Sequence, residues 1–244
     1  MRALRILLIV VVVLGGLFVG ADRLAVHFAE GEVADKLRTT ENLATTPEVS
    51  IKGFPFLTQL VGGELEDVEI GIENYEANAG EGGTVRIDDL RANMKGVEFS
   101  GDYSSATANS ATGTASIAYD ELLRTAKSEP AQVAPGVTAE VVGLSDGGDG
   151  KIKVAVEATV FGTKLPRPVS VLSTVTAEGD TVRVKAEALP SIGGVQVGET
   201  QIRSITDFEQ RIDGLPGGIR LDEVRAESDG VRITVLGSDV RLAG

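Results

Sequence analysis

Alternation of apolar and polar residues with a period of two dominates the chain beyond residue 47. Val68, Ile70 and Ile72 alternate with Glu69, Gly71 and Glu73, which predicts a strand with one oily and one polar face. Val49 and Ile51 form a shorter version. Val85, Ile87 and Leu90 follow a Gly-rich turn at Gly80–Gly83, and Val97 with Phe99 predicts another short strand. The clearest case is Ile152, Val154, Val156, Ala158 and Val160, with lysines and Glu157 facing out. Val169 to Ala177 and then Val182, Val184 and Ala186 continue the series across a tight Glu178-Gly179-Asp180 turn. Val231, Ile233 and Val235 with Val240 and Leu242 predict a closing hairpin.

Helical spacing appears in three places. Leu24, Phe28, Val33 and Leu37 predict a helix from Asp22 to about Thr39, with Asp22 capping its start and Gly31 weakening it. Asp120–Lys127 predicts a short helix ended by Pro130. Ile202, Ile205, Phe208 and Ile212 fall on one face of a predicted helix at about 201–213, stopped by Gly214 and Pro216. Glu41–Pro47 is a linker. Residues 100–115 are low in complexity, but Ala and Thr alternate enough to allow a strand. The expected class is α+β and β-rich. The two halves look roughly alike, without a repeat period.

The first 21 residues stand apart. After Arg2 and Arg5, Ile6–Ala21 carries no charge for sixteen residues, slightly short of the ~20 of a comfortable transmembrane helix. The run fits a signal-peptide core with Val19-Gly20-Ala21 as its cleavage site, and equally an uncleaved anchor with Arg5 snorkelling. Either reading exports residues 22–244, expected to be a single domain, out of the cytoplasm into the cell envelope.

Composition removes several function classes. The chain has no cysteine, which excludes disulfides, thiolate metal sites and a lipoprotein anchor. Its one histidine, His27, rules out clustered imidazole ligation and is expected to be an ordinary packing or surface residue. Net charge is −13. Setting aside Arg2 and Arg5 leaves 21 basic against 36 acidic residues, or −15. Such a surface repels nucleic acid and a strongly anionic membrane alike, so a lipid partner would be held mainly by apolar burial.

Gly143-Leu144-Ser145-Asp146-Gly147 matches the nucleophile-elbow pattern. An elbow needs a helix after the serine and a histidine later in the chain, whereas here a strand follows and His27 lies upstream. A hairpin turn is the expected role. Asp146–Gly150 lacks the alternating ligands of a calcium loop, Gly150-Lys151 is no phosphate loop, and Asp88-Asp89 is one of many acidic pairs. No catalytic residue, metal or cofactor is expected. Lys164 and Arg167 bracket Leu165 and Pro166 in an oily, basic turn that could meet a phospholipid head group or be a plain hairpin with solvated charges.

The stretch that organises the rest is Gly53-Phe54-Pro55-Phe56-Leu57-Thr58-Gln59-Leu60. Proline fixes φ and removes a donor, so this cluster is apolar and rigid at once. It either plugs one end of a core or lines the mouth of an apolar groove. Preceded by Pro47-x-Val49-x-Ile51, the octapeptide resembles the signature of the LmeA-like phospholipid-binding proteins of actinobacterial envelopes, connected with lipomannan elongation. Leu215-Pro216-x-Gly218-Ile219 and Gly237-x-Asp239-Val240-x-Leu242 extend the resemblance to most of the chain from about Asp22. It implies a tubular lipid-binding fold, in which a strongly curved antiparallel sheet wraps one or two helices, here those at 22–39 and 201–213. The implied role is phospholipid binding at the membrane without bond-making. Candidate lipid contacts are Phe54, Pro55, Phe56, Leu57 and Leu60, the turn residues Lys164, Leu165 and Arg167, and Ile205 with Phe208. The alternative is an envelope interaction protein whose core is filled.

Overall fold

The computed structural model describes residues 2–78, 84–102, 104–125, 130–187, 203, 206–211 and 218–243. Their order begins with a 39-residue helix α1 (Arg2–Thr40), strand β1 (Glu48–Lys52) and a seven-residue helix α2 (Phe56–Gly62). Three long strands follow, β2 (Glu64–Asn78), β3 (Thr84–Phe99) and β4 (Ala106–Ala118), then the short helix α3 (Tyr119–Thr125). Next come β5 (Ala131–Ala134), β6 (Val137–Gly148), β7 (Lys151–Val160), β8 (Thr163–Lys164), β9 (Val169–Glu178) and β10 (Thr181–Ala186). The last are β11 (Phe208–Arg211), β12 (Ile219–Ala226) and β13 (Gly230–Ala243).

All pairings are antiparallel and fall into two sheets. The first, strongly curled, runs β1-β2-β3-β4-β13-β12, and the second β11-β10-β9-β7-β6-β5 with β8 beside β7. The β-rich α+β class expected from patterning is what forms. Gly80–Gly83, Ala126–Lys127, Ile202, Ile205, Ile212 and Gly214–Pro216 lie outside the described residues.

The curl has a visible cause. Leu65 pairs with Val97, but the next partners are Asp67 and Lys95, so Glu66 and Gly96 drop out of the ladder. Asn109 drops out opposite Gly96, and Asp239 opposite Asn109. One residue is therefore left out of the ladder on each of four neighbouring strands at one level, without a change of register, and this aligned break is the crease at which the sheet bends. Gly96 (φ 58°) and Asp239 (φ 52°) take the left-handed conformation there. A Cβ at Gly96 would also sit 2.5 Å from Asn109 Nδ2.

Two cores share the inner face of the curled sheet. On one side of the crease Leu65, Val97, Ala108 and Val240, and on the other Val68 and Met94, are buried with Ile51, Phe56 and Val26 of α1. At the opposite end Leu221, Val224, Ala226 and Val231 pack on Val133, Val137, Ile152, Val154, Val156, Ala158 and Val171 of the second sheet. Tyr119 of α3 joins that core and donates its hydroxyl to the Glu227 carbonyl (2.7 Å). The outer face of the curled sheet is polar, with Lys52 bonded to Glu69, and Asn93 to Asp67 and Glu69.

Several elements differ from the sequence expectation. The segment 22–39 is no separate helix: α1 runs unbroken through Ala21 and Gly31. Its packing face is Ala25, Val26 and Ala29, while Leu24 and Phe28 are turned outward, both 73% exposed. Asp22 caps not its own helix but α2, accepting the Leu57 N–H at 2.9 Å. Phe208 is on strand β11 rather than on a helix, pairing with Val184. The ladder to β10 places Glu209 opposite Arg183, and this cross-strand ion pair (2.6 Å) favours the strand over local helical spacing. Val231–Leu242 is one strand, not a hairpin. The hairpin is β12–β13, and Gly237–Asp239 is the crease rather than a turn.

Candidate functional site

The site builds from the curled sheet's inner face between its two cores. Beyond Val68 and Met94, successive inward rows are Ile70, Ala92, Gly113 and Val235, then Ile72, Leu90, Ala115 and Ile233. Val235 and Ile233 are covered by the second sheet, and Ile70 packs on the first core. Ile72, Leu90, Ala92 and Ala115 belong to neither core and stay half-buried, as do Tyr75 and Ile87 in the row beyond. From Ala106 to Ala115 the inward residues of β4 are all small (Ala106, Ala108, Ala111, Gly113 and Ala115), and the buried Ile117 ends the run. Small side chains on one strand of a curled sheet leave a trough beside the larger aliphatics of its neighbours. Burying apolar surface there is favourable by ~25 cal/mol per Å². An elongated apolar ligand suits such a face. Among its described residues, Ile70, Ile72, Leu90, Ala92, Gly113 and Ala115 offer neither a nucleophile nor an acid–base pair.

The far end of the trough is braced by α3. The buried Glu121 carboxylate accepts the Arg86 N–H of β3 at 2.6 Å and is paired with the Arg124 guanidinium. The Arg86 N–H bond, with Arg124 beside it, holds the Glu121 carboxyl below its ordinary value despite burial. The near end is the Gly53–Leu60 segment. Phe56 is 3% exposed in the first core, Leu57 is partly buried against it, and Leu60 is exposed beside the neighbouring Val61 (85% exposed). An open groove of about 440 Å³ lies next to them, lined by Val61, Gly63, Glu64, Glu98 and Phe99 among others.

The octapeptide divides its labour residue by residue. Gly53 (φ 97°) lets Gln59 approach so closely that a Cβ would fall 2.4 Å from its Nε2. Gln59 Oε1 accepts the N–H of Glu66 at the crease (2.8 Å), and the Thr58 hydroxyl donates to the Pro55 carbonyl (2.8 Å). Pro55, joined to Phe54 by a cis bond, precedes α2 as its N-cap. Of the two aromatic rings Phe54 is the one that turns away, 53% exposed, with its ring edge-on to Phe18 of α1 and 5.3 Å below the Arg23 guanidinium. Of the two readings of the cluster, the core plug describes Phe56, while Phe54 stands outside the core.

The model of the LmeA-like phospholipid-binding family matches residues 20–235. The chain belongs to that family. Comparison with curated proteins and with solved structures finds no match. The LmeA-like match covers the octapeptide, the second sheet and the curled sheet as far as the middle of β13, but leaves out most of the apolar stretch of α1.

The remaining candidates are not gathered with the octapeptide. Lys164 pairs with Glu157 (2.6 Å) on the second sheet, Leu165 packs into the second core, and Arg167 is exposed. Phe208 is half exposed on β11, at the edge of that sheet, and Ile205 lies outside the described residues. Ser145 sits within β6 opposite Lys153, and the chain reverses later, at Asp149-Gly150. The expected hairpin turn is therefore displaced by a few residues, and Ser145 is on no strand-to-helix elbow. Asp146 spends an oxygen on the Gly148 N–H. His27 is exposed on α1. Sequence reasoning missed the trough residues Leu90, Ala92 and Ala115. The signal for them was the run of alanine and threonine in 106–115.

Proposed function

We propose that this LmeA-like protein is a non-catalytic lipid handler of the cell envelope that lays acyl chains along the trough of its curled sheet. The observation that carries this is the row of half-buried aliphatics and alanines left between two filled cores. A lipid moving there from a bilayer gains about 0.8 kcal/mol per CH₂ relative to water, but the bilayer offers nearly the same. Ordering the chain then costs entropy, so net transfer is close to neutral. A carrier works in that regime, because cargo held far more tightly than in a membrane is never released.

Helix α1 supports an extracytoplasmic, membrane-attached location. Its apolar stretch has a mean hydropathy of 2.7, with none of it buried against the protein. A service to envelope glycolipid assembly follows from the family's character as a reading of the same site.

Photolabelling of the full chain in nanodiscs tests it, using a phospholipid with a diazirine on its acyl chain. Adducts are expected on β2, β3 and β4 at Ile72, Leu90, Ala92 and Ala115, and Ala92→Phe with Ala115→Phe should abolish them. Adducts confined to α1 would return the protein to the filled-core, protein-binding reading.

A further inference from the structure

Phe54 is the one aromatic ring of the octapeptide outside the core, and its neighbour fixes its depth. Its ring lies 6.5 Å from that of Phe18, at an interplanar angle of 74°. Phe18 belongs to the charge-free run that ends at Ala21, about 4.5 Å further along the helix axis at 1.5 Å per residue. A side chain in contact with Phe18 shares the level of Phe18. If that run crosses a bilayer, Phe54 cannot be in bulk water.

We infer that Phe54 is a fixed wedge entering the hydrocarbon edge of the bilayer beside α1, seating the β-sheets on the membrane in one orientation. The inference rests on the membrane-attached reading of α1, not on the cargo reading of the trough. The mount is rigid. Leu57 N–H is tied to Asp22 of α1, Arg23 Nη2 to the Gly53 carbonyl at 3.3 Å, and Gln59 to the crease. Phe56 anchors the same turn in the core, so Phe54 rides on a fixed support instead of a loop.

The bilayer is favoured over a protein partner by the charges around the ring. Arg23 is paired with Asp22 at 2.7 Å, so the collar at head-group level brings no unpaired charge of its own. It also places a guanidinium over the ring face, an arrangement suited to the boundary between apolar and wet layers. The rest of the surface is too acidic to attach to a membrane by charge, leaving apolar insertion as the means.

The chain contains no tryptophan and no cysteine, which makes the test clean. The full-length Phe54→Trp variant is placed in phosphatidylcholine nanodiscs, with or without bromine at mid-chain. Blue-shifted emission that loses most of its intensity to the brominated lipid, and little to aqueous iodide, is expected. Emission quenched by iodide and untouched by bromine overturns the wedge. A Phe54→Cys variant gives an independent reading: a membrane-impermeant maleimide should label it far more slowly than Phe161→Cys, which sits 80% exposed after β7. Equal labelling rates overturn the wedge as well. Neither readout needs cargo, so photolabelling of the trough can fail while these succeed, and the reverse.

Discussion

The two sheets carry the same alternating code and bury it differently. In β7 the inward residues Ile152, Val154, Val156 and Ala158 are all buried, because the curled sheet's β12 and β13 lie against them. In β3 and β4 the inward residues Leu90, Ala92, Gly113 and Ala115 are only half-buried. Alternation therefore states which face is oily but not whether a protein element covers it. The difference lies in side-chain size and in the crease. Valine and isoleucine interdigitate with an opposing sheet, whereas alanines on a bent sheet leave room.

The strongest way to break the comparison is to remove a plug. Phe56→Ala should cost about 3–5 kcal/mol in chemical denaturation, the usual range for emptying a buried phenylalanine site. A loss below ~1 kcal/mol would mean that the first core is not packed as described. Next comes the contrast between like residues. Ile152→Ala in the filled sheet should destabilise by about 2–5 kcal/mol, and Ile72→Ala in the trough by clearly less, while reducing phospholipid photolabelling. Equal losses with unchanged labelling would erase the distinction.

A smaller effect is pH-dependent. The native Glu121 carboxyl titrates below its ordinary value of 4.5, so its stabilising share is complete above that pH. The share declines as pH falls through the lowered native value. Glu121→Gln should therefore melt below the parent at pH 7, with the gap closing in acid. A gap independent of pH would show that the Arg86 and Arg124 contacts do not hold the charge. Smallest of all, Lys164→Ala with Arg167→Ala should leave both melting and lipid labelling unchanged, since Lys164 is spent on Glu157 and Leu165 faces the second core. Reduced labelling would move the head-group contact to that turn.

The filled sheet was legible in the sequence because its alternation is uninterrupted from Ile152 to Val160. The curled sheet was legible only in fragments. Its inward positions step from Leu65 to Val68, from Met94 to Val97, from Ala108 to Ala111 and from Gly237 to Val240. Each slip of phase makes one long strand read as two short ones, which is how β3 and β13 were divided. The octapeptide was legible as a rigid apolar cluster. Its split between Phe54 and Phe56 was not, because it depends on α1 passing unbroken beside it. Phe208 misled because isoleucines and a phenylalanine at helical spacing say nothing about an available edge strand, and β10 supplied one.

The crease limits how this family's chain can change in length. An extra residue in any one of the four strands would move that strand's apolar set to the wet face from there onward. The bend is held jointly by Glu66, Gly96, Asn109 and Asp239, so no single strand can lose its skipped residue without shifting out of step with its neighbours. Insertions and deletions among relatives should therefore gather in the turns between these strands, while the spacing from each crease residue to the trough stays constant.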